Sequence, residues 1–456
     1  MKRLFLYPAF CFWEEKKMDL LYGNVKKVYF NYLSAAFGSA LISSIYSTVD
    51  MAVVGQYQGP AGTAALAIVS PIWNIVYSLG LLMGIGGSVL LGAAKGRGDE
   101  QQKNEWFTSA LIGTIVLAVI SWGVVALFDT QLLQLFGAEE TLLPLAKEYL
   151  FPIKFIVPLF LFNQLFTAFL RNDNAPALAT VAVLSGGIFN VFGDFFFVFT
   201  LDMGIFGAGL ATAIGALISV LVMLTHFFTR KNTLKLVKPH GIVGQLKRIT
   251  VTGISTFFID AAMGILTMLF NRQIVRYLGT DALAVYGIIV MISTVVQCCA
   301  YSVGQAAQPI ISINYGAESW TRIKETLKYA LYAVCFFSLT WTALICAIPN
   351  GFVRVFMTPS AEILRIAPFI LRSYGISFLL LPLNIFSTYY FQALMKPVPS
   401  FAVSVARGLL ISGSLILTLP VVAGANALWY AMPITEAVVA VAVVGLMVKY
   451  TKQLAN

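Results

Sequence analysis

The sequence predicts an all-α integral membrane protein with twelve transmembrane helices, arranged as two six-helix lobes that form a parallel repeat. Three observations support this prediction: an apolar composition, a series of long apolar segments, and an internal repeat. Apolar residues make up 59% of the 456 residues and charged residues only 11%, whereas about 25% is usual in soluble domains. So few charges cannot cover a soluble protein of this size, and lipid is the expected surrounding solvent.

Twelve apolar segments recur along the chain, and each is long enough to cross a bilayer. A spanning helix needs about 20 mostly apolar residues to cross a hydrocarbon core of about 30 Å. None of the segments alternates with a period of two residues, which excludes a transmembrane β-barrel. The predicted helices fall near residues 30–54, 64–93, 107–128, 146–170, 177–200, 205–229, 248–270, 282–314, 327–349, 366–394, 401–422 and 426–449.

Positive charge alternates between the connecting loops and predicts the orientation. Residues 55–63 and 421–427 contain no Lys or Arg, whereas the loops after the second, sixth and eighth helices are rich in both. Because cationic loops remain in the cytoplasm, both termini are predicted to be cytoplasmic. The net charge of +10 is therefore attributed to topology, and no nucleic-acid partner is expected. The cations of these loops are Lys95, Arg97, Lys103, Arg230, Lys231, Lys235, Lys238, Lys247, Arg248, Arg322, Lys324 and Lys328.

The two halves of the sequence resemble each other. The segment YQGPAGTAALA from Tyr57 matches YLGTDALA from Tyr277, and Pro176 and Pro399 each open a helix after similar segments. Matching positions stay about 220 residues apart, as in an internal repeat. The predicted units are a cytoplasmic segment 1–28, a first lobe 29–229, a basic cytoplasmic linker 230–247 and a second lobe 248–456. Whether translation starts at Met1 or Met18 stays open, so residues 1–17 belong to the protein only in the first case.

Signatures of enzymes are missing from the sequence. It contains no GxxxxGK[ST] loop for ATP, no HExxH zinc motif and no CxxC pair among its five cysteines. The prediction is therefore a protein that is not an enzyme, with no cofactor and no use of ATP. The glycine cluster GLLMGIGG, from Gly80 to Gly87, lies inside an apolar segment and is typical of close helix packing.

Ionisable residues at membrane depth are the main candidates for function, since each costs about 2.5–3.5 kcal/mol at a helix centre. Asp50 lies near the outer end of the first helix, and Asp260 lies midway along the seventh. Asp194 follows Asn190 by four residues in the fifth helix, so both side chains share one face. Two neighbouring carboxylates favour a bound cation or shared protons, and their oxygens suit Na+ or H+.

Two further ionisable residues, Arg407 and Glu436, lie in the eleventh and twelfth predicted helices. The favoured interpretation is structural. The two side chains either pair with each other or extend toward the membrane interface, where a charged group stays hydrated.

Several motifs, taken in order, resemble the multidrug and toxic compound extrusion (MATE) family. They are YSTVDMAVVGQY, LRNDNAPALA, NVFGD and GIFGAGLAT, and the resemblance runs from about Tyr29 to the last helix. It implies two six-helix lobes around a central cavity and cation-coupled export of organic cations. It also implies a cation site for Na+ or H+ made by an acid, an NxxxD pair and a hydroxyl, which correspond to Asp50, Asn190, Asp194 and Thr212.

The resemblance also assigns a substrate-binding role to Asp260, which falls where a bacterial branch of the family carries an acid in the seventh helix. Two prolines usual in the family are replaced here by Ala35 and Ser255. A proline bends a helix by removing a backbone donor. Without it, a transport mechanism in which the first helix bends is not expected here, whereas a mechanism in which whole lobes rock does not depend on this proline.

The prediction of function is a secondary active antiporter of the bacterial plasma membrane that works by alternating access. It exports lipophilic, cationic drugs or toxic metabolites in exchange for Na+ or H+. Its partners are a small-molecule substrate and membrane lipid. The alternative is a flippase for a lipid-linked saccharide on a related fold. Oligomeric state, the natural substrate and the choice of ion are not determined by the sequence.

Overall fold

The computed structural model describes residues 19–356 and 359–454, except for the side chain of Pro60. The choice between Met1 and Met18, and most of the predicted segment 1–28, lie outside these residues. Within them the chain consists of helices joined by short connections. The helices assemble because their apolar faces pack on one another, and four buried apolar clusters form between them.

Within the described residues, eleven helices are long and apolar enough to span a membrane, and a bent pair forms a twelfth span. The prediction of twelve helices is thereby confirmed, and the chain is a multi-pass membrane protein. The spans are α1 (Val25–Gly59), α2 (Ala61–Gly96), α3 (Glu100–Leu127), α4 (Leu143–Lys154 with Val157–Asn172), α5 (Pro176–Thr200), α6 (Gly204–Phe228), α7 (Ile242–Tyr277), α8 (Thr280–Gly316), α9 (Trp320–Ala347), α10 (Ala361–Ala393), α11 (Pro397–Val422) and α12 (Ala425–Gln453).

The fourth span differs from the single helix that the sequence predicts, because its two parts meet at an angle of 54°. Pro158 is the second residue of the second part. In an unbroken helix its ring would clash with the carbonyl group of Lys154, four residues earlier. The first part accordingly ends at Lys154, and the bend follows directly from the proline.

Helix α1 is regular where the related family usually carries proline. The only non-helical backbone angles between Val25 and Gly96 are those of Gly59, whose positive φ of 66° separates α1 from α2 and favours glycine. Ala35 therefore lies in continuous helix. Its carbonyl oxygen accepts a hydrogen bond of 2.7 Å from the Thr180 hydroxyl of α5, which ties α1 to α5.

Glycines bring helices of the two halves into backbone contact. A Cβ atom added to Gly86 of α2 would lie 2.2 Å from the Ile249 carbonyl oxygen of α7, and one added to Gly253 would lie 2.0 Å from that of Leu82. The same reciprocal arrangement joins α2 to α8 at Gly96 and Gly316. Only glycine permits such an approach, so the packing role predicted for Gly80–Gly87 is confirmed.

Candidate functional site

A buried polar cluster lies between α1, α4, α5 and α6. Asp50 is only 6% exposed, and its Oδ2 atom accepts hydrogen bonds from the Tyr149 hydroxyl at 2.8 Å and the Thr212 hydroxyl at 3.3 Å. The Asn190 amide donates to the Thr212 hydroxyl at 3.1 Å. The structure thus brings together Asp50, Asn190 and Thr212, three of the residues singled out in the sequence.

Asp194 completes the cluster. It lies one helical turn after Asn190, is fully buried, and interacts electrostatically with the carboxylate of Asp50. The α-helical part of α5 ends at Asp194, and a π-helical segment from Phe195 to Thr200 follows. Such segments are rare and often occur at functional sites. The two acids predicted to share one site therefore lie within electrostatic range of each other.

Four oxygen atoms of this cluster are buried without a hydrogen-bond partner among the described residues. They are Oδ1 of Asp50, Oδ1 of Asn190 and both carboxylate oxygens of Asp194. An unsatisfied buried polar group costs about 1–3 kcal/mol, and more when it is charged. Carboxylate and amide oxygens are ligands of hard cations, and a carboxylate pair also accepts protons. The residues present therefore fit either Na+ or H+.

Tyr149 is a member of this cluster that the sequence analysis missed. It is 4% exposed and lies in the first part of α4, before the bend. A tyrosine in an apolar segment carries no pattern that predicts a polar partner. The only signals were its hydroxyl and the proline that bends α4, and neither identifies Asp50 as the group contacted.

Asp260 lies elsewhere, at the boundary between the two halves. The Tyr301 hydroxyl of α8 donates a 2.9 Å hydrogen bond to its Oδ1 atom, and the Asp260 charge also interacts with the hydroxyls of Tyr77 in α2 and Tyr389 in α10. Asp260 makes no ion pair within the described part of the chain. It is thus available to a ligand between the halves.

The pairing of Arg407 with Glu436 is confirmed. The Arg407 Nε atom donates to a carboxylate oxygen of Glu436 at 2.8 Å, and the Asn384 amide donates to the other at 2.7 Å. Glu436 is fully buried. Because a guanidinium and an amide satisfy both carboxylate oxygens of Glu436, this network is a structural contact between α10, α11 and α12.

A second polar cluster, at the carboxyl ends of α2, α4 and α6, holds the linker between the halves. Asp173 follows α4 and is 2% exposed. Its carboxylate lies 2.7 Å from the His226 ring, accepts hydrogen bonds from the backbone and hydroxyl of Thr233, and lies 3.9 Å from the Lys95 ammonium group. The sequence analysis missed this cluster because its members are far apart in the chain.

We expect Asp173→Asn to destabilise the protein. Burial alone would raise the pKa of Asp173, but the hydrogen bonds from His226 and Thr233 and the charge of Lys95 hold that pKa below its ordinary value. The carboxylate therefore stabilises the fold at pH values above its unfolded pKa of about 4, and this contribution is lost as the pH falls through the folded pKa. The expected loss at neutral pH is about 1–3 kcal/mol.

Thermal unfolding of the purified protein in detergent, followed by tryptophan fluorescence between about pH 3 and pH 7, measures this effect. Asp173→Asn should melt at a lower temperature at neutral pH, and the difference from the parent should shrink in acid. Glu140→Gln, at an exposed acid, is the control. Equal melting temperatures of Asp173→Asn and the parent at neutral pH would contradict the assignment.

The sequence profile of the family described as MatE matches this chain twice, over residues 35–196 and again over residues 254–415. Each match lies within one half of the chain, and together they cover most of it. The chain belongs to the MATE family of transporters. The prediction made from the motifs, and with it the paired six-helix fold, is thereby confirmed.

Relatives support this assignment over about four fifths of the chain. The Multidrug export protein MepA of Staphylococcus aureus (strain NCTC 8325 / PS 47) is 25% identical over 357 residues, which cover 77% of this MATE protein and 78% of MepA. MepA of Staphylococcus haemolyticus (strain JCSC1435) is 23% identical over 378 residues, or 82% of each chain.

Solved structures show the same fold. The outward-facing conformation of a multidrug resistance MATE family transporter of the MOP superfamily has a TM-score of 0.89 at 20% identity, and the match covers 96% of this chain and 99% of that one. A MOP superfamily transporter from Pyrococcus furiosus Vc1, for which reverse polarity of the binding pocket suggests a different function, also has a TM-score of 0.89. It is 19% identical, and the match covers 97% and 99% of the two chains.

Proposed function

We propose that this MATE protein is a cation-coupled antiporter that exports lipophilic cationic small molecules from the bacterial cytoplasm. The observation that carries the proposal is the set of four unpaired buried oxygens on Asp50, Asn190 and Asp194. A buried group of this kind needs a cation or protons. The names of the MepA relatives support export of several drugs, and the bacterial relatives support a plasma-membrane location.

Coupling requires only a difference in affinity between two conformations. A Na+ ion or proton held by Asp50, Asn190, Asp194 and Thr212 stabilises one facing of the space between the lobes, and substrate stabilises the other. Because the site lies between α1, α4, α5 and α6 of one half, its occupation changes how these helices pack. The α1 backbone, which is regular at Ala35, favours rocking of the lobes over bending of this helix.

Efflux of ethidium, a fluorescent organic cation, from proteoliposomes tests the proposal. Imposed Na+ gradients and imposed pH gradients are compared in separate arms, with protein-free liposomes as the control. Efflux that follows one of the gradients is expected and identifies the ion. Efflux that follows neither gradient would contradict coupled export.

A flippase for a lipid-linked saccharide is the alternative, and the acids argue against it. Three acids at membrane depth, Asp50, Asp194 and Asp260, outnumber the one unpaired guanidinium among the described residues there, that of Arg171, so the net charge of these groups would repel the pyrophosphate of such a substrate. An assay of translocation of a fluorescent lipid-linked disaccharide in the same liposomes distinguishes the two functions.

The proposed orientation has both termini in the cytoplasm. It predicts that Glu140→Cys, in the exposed connection between α3 and α4, reacts with a membrane-impermeant maleimide in intact cells. Lys238→Cys, exposed in the linker, should react only after permeabilisation. The five native cysteines are first replaced by serine. The reverse labelling pattern would invert the orientation and the direction of export.

A further inference from the structure

Arg171, near the carboxyl end of α4, is a buried cation without a carboxylate. It is 5% exposed, and no acid among the described residues lies within ion-pair distance of it. Its Nη1 atom donates to the side-chain oxygen of Gln305 at 2.5 Å, whereas its Nε atom is buried without an acceptor. Arg407, by contrast, is matched by Glu436. A guanidinium left in this state is unusual because burial of an unpaired charge is costly.

The position of Arg171 is between the two halves. Gln305 belongs to α8, and the Arg171 charge also interacts with the hydroxyls of Tyr77 in α2 and Tyr389 in α10. Tyr77 is 41% exposed, although it lies within a span that is mostly buried. Its hydroxyl is within electrostatic range of Asp260 and Tyr389 of the second half, so Tyr77 lies where the two halves meet.

Asp260 adjoins the same tyrosines. Its charge interacts with the hydroxyls of Tyr77 and Tyr389, as does that of Arg171, yet no ion pair joins the two. One unpaired anion and one unpaired cation therefore lie within electrostatic range of the same two tyrosines. Aromatic rings suit a flat organic molecule and favour cationic ones.

We propose that the space between the lobes binds zwitterionic substrates, with Arg171 as the site for their anionic group and Asp260 as the site for their cationic group. A guanidinium binds carboxylate, sulfonate or phosphate through paired N–H donors, and the free Nε–H supplies one of them. The proposal rests on the proposed export function and adds an anion subsite to it. It differs from a purely structural role, in which Arg171 only fastens α4 to Gln305.

Two fluorescent dyes that differ in one group test the proposal. Rhodamine 110 is a zwitterion with a free carboxylate, and rhodamine 123 is its methyl ester, a cation. Binding of each dye to the purified protein is measured by fluorescence anisotropy. Arg171→Gln should weaken binding of rhodamine 110 by about tenfold or more and leave rhodamine 123 within about twofold of the parent. Arg171→Lys should bind rhodamine 110 more tightly than Arg171→Gln does, because lysine retains the positive charge.

Gln305→Glu provides a second variant that keeps Arg171 in place. The new carboxylate would pair with Arg171 and should cause the same selective loss of rhodamine 110 binding. Equal weakening of both dyes, or no change for either, would overturn the anion subsite. Failure of the export proposal gives a different result. Gradient-driven efflux of ethidium would then be absent, while Arg171→Gln would still weaken binding of rhodamine 110 and not of rhodamine 123.

Discussion

Replacing either Asp50 or Asp194 by asparagine is expected to abolish gradient-driven efflux while the protein remains folded in the membrane. Asp50 has one oxygen bonded to Tyr149 and Thr212 and one unpaired, and Asp194 has two unpaired. An amide has nearly the shape of a carboxylate, but it carries no charge to bind Na+ and does not take up a proton at neutral pH. The driving ion then has no site, and substrate movement is no longer coupled to it.

The measurement is ethidium efflux from proteoliposomes under the gradient that drives the parent, with each variant reconstituted at equal amounts. Efflux should fall to the rate of protein-free liposomes. Asp202→Asn is a matched control, because this acid lies just beyond α5, is exposed, and bonds only the Tyr57 hydroxyl within the described residues. Unchanged coupled transport by both Asp50→Asn and Asp194→Asn would refute the ion site.

Asp260→Asn is expected to weaken binding of cationic substrates much more than that of neutral ones. The carboxylate of Asp260 accepts a hydrogen bond from Tyr301 and has no counter-ion among the described residues, so a cationic ligand would supply the missing charge. Loss of one charge-assisted contact corresponds to roughly tenfold weaker binding or more. The hydrogen bond to Tyr301 survives in the variant because an amide oxygen also accepts it.

Equilibrium binding of rhodamine 123 and of a neutral dye of similar size separates the two effects. Asp281→Asn, at an exposed acid in the first turn of α8, removes the same charge away from the space between the lobes and should change neither affinity. If Asp260→Asn bound both dyes as the parent does, its role would be confined to the contact with Tyr301.

The two halves use buried charge differently, although their sequences echo each other. In the first half, Asp50 and Asp194 both carry buried oxygens without a partner among the described residues. In the second half, the carboxylate of Glu436 is paired with the guanidinium of Arg407, a cation of the protein itself. A site with an internal cation needs no external one. This contrast is our reason for proposing that the coupling ion binds in the first half.

The sequence by itself determined the number of spans, their approximate limits and the repeat. Those properties depend on hydropathy along the chain, and the cost of placing polar backbone in lipid makes hydropathy decisive. It also placed Asn190 and Asp194 on one helical face, because a spacing of four residues is a local property of a helix. The resemblance of the motifs added Asp50 and Thr212 to the predicted site, and the structure brings these two side chains into contact.

Only the tertiary structure decided which side chains meet across helices. Tyr149 reaches Asp50, Arg171 reaches Gln305, and Asp173 gathers partners from the linker, in each case between residues that are distant in the chain. Hydropathy records how apolar a segment is but not which helix packs beside it or how it is rotated. Those choices depend on where glycine lets backbones touch and where Pro158 bends α4, and they become definite only when all the helices are packed together.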